Sequence, residues 1–120
     1  MPPDARAYLA DILESCDAIM IAVRGLNLDD YGSNRLVRSS VEREFTIIGE
    51  AVAALARTAP EVFASITQAR RIVDFRNKLA HEYSSVDDTF VWGIADRDVP
   101  ILRIECAALM DSLDSPSQVD

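Results

Sequence analysis

At 120 residues, 49% of them apolar and 27% charged, the chain has the length of one domain with a single core of several helices. Its net charge of −8 argues against a simple phosphate-tracking nucleic-acid binder. No apolar run approaches the roughly eighteen residues that cross a bilayer, and Met1-Pro2-Pro3-Asp4 lacks the basic and apolar regions of a signal peptide, so a cytoplasmic protein with no membrane partner is expected.

In chain order, Asp4 follows a proline pair and can cap a first helix, in which Leu9, Ile12, Leu13, Cys16, Ile19, Met20 and Val23 recur every three or four residues. Gly25 stops it. Leu26 to Gly32 reads as a connection with room for one helical turn, after which Ser33 or Asn34 can cap a second long helix. That helix carries Val37, Val41, Phe45, Ile48, Val52 and Leu55 at alternating spacings of four and three, a bundle seam. Pro60 closes the stretch that follows, and Glu61 to Ala64 forms a short turn. Ser65 with Gln68 three residues later matches a capping box for the next helix, whose stripe is Ile72, Phe75 and Leu79. Asp87 can cap a further helix holding Phe90, Val91, Trp92 and Ile94, and Asp98 with Pro100 opens the last, faced by Leu102, Cys106, Leu109 and Leu113. The expected fold is an all-α antiparallel bundle of four to six helices in a single domain, residues 1–114, with a frayed tail at 115–120. Cys16 and Cys106 fall at core spacing and are read as reduced, buried thiols, with no metal site.

The charge is unevenly spread. Residues 35–78 carry eight of the twelve basic groups against five acids, a net of +3, and the remainder carries −11. At the end of that basic region begins Arg76-Asn77-Lys78-Leu79-Ala80-His81-Glu82-Tyr83, with the only histidine of the chain. At about 100° per residue, with Ile72 at zero, Arg76 projects near 40°, Ala80 near 80°, Asn77 near 140° and His81 near 180°. These residues flank the apolar stripe on one side, with the small Ala80 between arginine and histidine. Histidine transfers protons near neutral pH, and arginine offers a fixed fork to phosphate oxygens.

The run resembles the Arg-(four residues)-His-x-Tyr signature of HepT-like proteins, a branch of the HEPN superfamily of helical ribonucleases. Ile47-Ile48-Gly49-Glu50-Ala51, about thirty residues earlier, is similar to a second run of that family, and the resemblance covers nearly the whole chain. It implies the toxin of a two-gene toxin–antitoxin system, an endoribonuclease with Arg76 and His81 as catalytic pair and Asn77 and Glu50 in support. Tyr83 would be the site at which a cognate MntA-type nucleotidyltransferase antitoxin attaches AMP. One histidine per chain cannot serve as both acid and base, so a symmetric homodimer is expected, with both motif helices meeting at one cleft around the RNA.

Each residue also has a plainer role. His81 could satisfy a partner at a loop edge, Arg76 could pair with Glu50, Tyr83 could pack at the edge of the core, and Lys78 with Glu82 reads as a surface pair. Trp92 and the aliphatic seams read as core. Beside Glu50, Gly49 points to close helix packing. The competing function is a non-catalytic helical dimer that serves as partner or substrate of a nucleotidyltransferase.

Overall fold

The apolar seams become helices in the computed structural model of the chain, which describes residues 4–81 and 86–114. Helix α1 (Asp4–Val23) buries Leu9, Ile12, Cys16 and Ile19. It ends where Gly25 takes φ +77, a left-handed turn that a side chain would strain. The connection holds a short helix, α2 (Leu28–Gly32), closed by a capping box: Asp30 N–H donates to Asn27 Oδ1 at 2.8 Å and Asn27 N–H donates to Asp30 Oδ2 at 3.2 Å. The turn places Tyr31 in the core, 5.6 Å from the Trp92 ring, and Trp92 is partly rather than fully buried.

Of the two candidate caps for α3 (Arg35–Thr58), Asn34 is the one used, its Oδ1 accepting Val37 N–H at 3.1 Å. Pro60 opens a short helix, α4 (Pro60–Ala64), at the first position, where its missing N–H costs nothing. The expected Ser65–Gln68 capping box does not form. Ser65 caps the C-terminus of α4 instead, its hydroxyl donating to the Glu61 carbonyl at 3.0 Å. A serine directly after a short helix can satisfy that helix's last carbonyls as readily as the next helix's first amides. Thr67 then ties this turn to the last helix, donating through both its N–H and its hydroxyl to the Glu105 carboxylate.

Helix α5 (Ala69–His81) follows, and α6 (Asp88–Gly93) starts on Asp87, which accepts Thr89 N–H at 2.8 Å. The break expected at Asp98 is absent. A π-helical turn, Ile94–Asp98, joins α6 directly to α7 (Val99–Asp114), with Val99 N–H donating to the Ile94 carbonyl. The wider turn absorbs Pro100, which cannot donate, without ending the helix.

α1 packs on α3 and α7, and α3 packs on α5. Arg6 pairs with Asp114 and Asp17 with Arg103 at 2.5 Å, so partners on α7 fall in number as those on α1 rise, and the two helices run antiparallel. The buried side chains form one cluster reaching from Ala5 to Cys106. Among the described residues there is no strand, and no helix is long and apolar enough to cross a membrane.

Candidate active site

Helix α5 forms because one face is apolar and its neighbours hold it. Ala69, Ile72, Phe75 and Leu79 are buried, and Phe75 stands between two rings. Phe45 of α3 meets it at 5.1 Å and 82°, and Phe90 of α6 meets it at 5.6 Å and 72°. Both pairs have the edge-to-face geometry that aromatic quadrupoles favour. Rotation of α5 about its axis is thereby fixed.

Gly49 sets the distance. A Cβ there would stand 2.5 Å from Cγ of Arg76 and closer still to its Cβ, so α3 and α5 can approach this closely only because position 49 has no side chain. The close packing read from the sequence is therefore a packing of Gly49 on Arg76. The arginine is half-buried, and its Nε is out of solvent with no hydrogen-bond partner among the described residues. Such a group costs about 1–3 kcal/mol when left unpaired. With its stem clamped and Nε enclosed, only the terminal nitrogens of Arg76 are left for a ligand to reach.

Asn77, Ala80 and His81 are exposed on the same helix. Between Arg76 and His81 the helix rises about 7.5 Å and turns about 140°. The small, exposed Ala80 lies between the two groups in angle around the helix. Glu50 is exposed, and none of the ion pairs among the described residues joins it to Arg76. It lies one residue, and so a quarter-turn, away from the contact line that Gly49 occupies. Tyr83 and Glu82 lie outside the described residues.

Cys16 and Cys106 are free and buried as expected. Burial pushes both thiols up to about 12, with each thiol's neighbours, Cys106 and Asp17 for the first and Glu105 for the second, adding to the shift. Neither has the depressed value of a nucleophile. No group of three His, Cys, Asp or Glu side chains among the described residues is placed to hold a metal ion.

One feature of α5 was not visible in the sequence. On the flank away from Arg76, Arg70, Arg71, Asp74, Phe75 and Lys78 line an open groove with Phe90 of α6. The spacing of Arg71, Phe75 and Lys78 puts all three on one side of a helix, but only the packing of α6 reveals that they share a groove.

An all-helical bundle that carries arginine and, five residues on, histidine on one packed helix is what the HEPN class leads one to expect. The family model described as Ribonuclease HepT-like matches residues 12–109, and the chain belongs to that family. Among its relatives, the candidate RNase MJ1380 of Methanocaldococcus jannaschii is 31% identical over 102 residues, covering 85% of this chain and 93% of its own. The candidate RNase TTE0752 of Caldanaerobacter subterraneus is 30% identical, covering 82% and 87%. A protein of Thermococcus cleftensis named probable ribonuclease HepT is 29% identical over 96 residues, covering 80% and 86%. No solved structure gives a significant match.

Proposed function

We propose that this chain is a metal-independent endoribonuclease that acts as a homodimer and serves as the toxin of a toxin–antitoxin pair. The observation that carries the reading is Arg76, half-buried with its stem clamped against Gly49, on the same helix as the exposed His81 five residues on. Membership in the HepT-like family and the RNase names of relatives support it.

The 2'-oxygen of RNA attacks phosphorus as a base removes its proton, and the P–O5' bond breaks as an acid protonates the leaving oxygen. The products are a 2',3'-cyclic phosphate and a free 5'-OH. Arg76 meets the charge that builds on the non-bridging oxygens, and a pre-fixed guanidinium loses little entropy in doing so. His81 from each of two subunits supplies base and acid, and Asn77, one turn before His81, orients the imidazole or holds a phosphate oxygen. Glu50, exposed beside Gly49, acts in support through solvent. Tyr83 is the residue that a cognate MntA-type nucleotidyltransferase modifies with AMP. The attached phosphodiester adds negative charge, which offsets the charge that draws RNA.

Induced expression of wild type, Arg76→Ala, His81→Ala and Tyr83→Phe, with total RNA followed in each, tests the reading. Growth arrest and RNA cleavage disappear in the first two variants and persist in Tyr83→Phe, which escapes modification by the antitoxin. Four equally toxic chains, or four inert ones, would show that Arg76 and His81 are scaffold.

A further inference from the structure

The groove beside α5 has a volume of about 430 Å³ and is open to solvent along its length. Arg70, Arg71 and Lys78 line it with Asp74, and even with Asp98 paired to Arg71 the cations outnumber the carboxylates by one, on a chain that is net −8. Phe90 remains 43% exposed in its wall. The Arg71 guanidinium sits over that ring, 5.8 Å from its centroid, and is held there by Asp98 at 3.7 Å. An exposed aromatic ring with a guanidinium over it is a platform for a flat, electron-rich group, and the surrounding ammonium and guanidinium groups suit phosphates. An acidic peptide would use the cations and leave the ring idle, whereas a single nucleic-acid strand uses both.

Position along the helix supports the same occupant. Lys78 is one turn before His81 and about 60° from it, so the groove ends beside the histidine. Arg76 lies beyond His81 and Asn77 on the other flank. A strand lying in the groove therefore passes His81 before it reaches Arg76.

We propose that this groove is an RNA-binding subsite, which stacks one base of single-stranded RNA on the Phe90–Arg71 pair and holds the adjoining phosphates with Lys78 and Arg70. The identity of the ligand rests on the ribonuclease reading above. The site itself is additional to Arg76 and His81, and sets where along a strand the protein grips rather than how it cuts.

The test uses the full chain and a fluorescent 2'-O-methyl oligonucleotide, which lacks the attacking hydroxyl and so reports binding without cleavage. Its affinity is measured by anisotropy at several salt concentrations for wild type, Phe90→Leu, Phe90→Trp and Lys78→Ala. Cleavage of the unmodified RNA by wild type is followed in parallel. Leucine keeps the apolar contact with Phe75 and loses the π-face, so Phe90→Leu weakens binding roughly ten-fold, while Phe90→Trp binds at least as tightly as wild type. Lys78→Ala reduces the slope of log affinity against log salt by about 0.7.

Variants that bind like wild type, or a wild type that does not bind, overturn the subsite whatever the cleavage assay gives. Variants that weaken binding while wild type cuts nothing leave the subsite standing and remove the ribonuclease reading. If the substitutions shift the sedimentation of the protein instead of its affinity for the oligonucleotide, the groove is an interface between copies and the proposal is wrong.

Discussion

Position 49 is where one atom decides most. A methyl on Gly49 would collide with the stem of Arg76, which belongs to a packed helix and not to a free side-chain end. Relief requires α3 and α5 to part or Arg76 to leave its rotamer. Gly49→Ala is therefore expected to cost about 1–3 kcal/mol of stability, as overpacking does, and to lower RNA cleavage by more than the lost folded fraction explains. Urea denaturation beside a cleavage assay under fully folded conditions separates the two effects. A variant as stable and active as wild type would mean that the helices yield freely and that the clamp does not position Arg76.

The buried thiols give a second prediction at this scale. Their values lie near 12 in the fold against an ordinary 9.0, so the folded state favours the protonated form. That contribution is complete below pH 9 and is lost as pH rises toward 12. Above pH 9 the unfolded chain binds fewer protons, and stability falls by up to about 1.4 kcal/mol per pH unit for each thiol. Stability measured between pH 9 and 10.5 should fall less steeply in Cys106→Ala than in wild type. Equal slopes would refute the assignment.

The same arithmetic of spacing that found the helices also shows where sequence reading stops. The seam of α3, the stripe of α5 and the Asn34 and Asp87 caps are periodic or local signals, and each appears where its pattern places it. Ser65 and the Asp98–Pro100 junction misled because their outcome depends on competition. Ser65 had two helix ends within reach, and Pro100 met a π-helical turn that no residue pattern announces. Arg76 and His81 were legible as a motif, while the contact of Gly49 with Arg76 and the groove under Phe90 arise from α3 and α6 packing on α5 across long sequence separations. The Phe45–Phe75–Phe90 series is the joint on which those placements depend. Phe75→Ala removes the middle ring from a buried site and should cost about 3–5 kcal/mol, with loss of α5 packing visible as a lowered melting temperature. Phe75→Leu should recover part of it. A small effect from Phe75→Ala would place the anchoring of α5 elsewhere, in Ile72 and Leu79.

Seen whole, the protein is a slab of 55 × 30 × 19 Å, about two helix diameters thick. Its radius of gyration, 14.9 Å, exceeds the roughly 13.6 Å of a compact chain of this length. A two-layer slab leaves broad faces uncovered. Arg76 and His81 stand about 140° apart around α5, and one chain carries a single histidine. A two-fold partner would complete both the cleft and the pair of proton-transfer groups. The expected dimer has a quantitative signature. When wild type is mixed with His81→Ala and subunits exchange to equilibrium, equal amounts leave about a quarter of the dimers with two histidines. If acid and base come from different subunits, cleavage falls to about a quarter of that given by the same total of wild type. If each subunit cuts alone, it falls only to about half. Titrating the mixture over the full range of composition distinguishes a quadratic from a linear decline. A linear decline, with the chain dimeric by sedimentation, would show that one His81 is enough and that the composite cleft is not the catalytic unit.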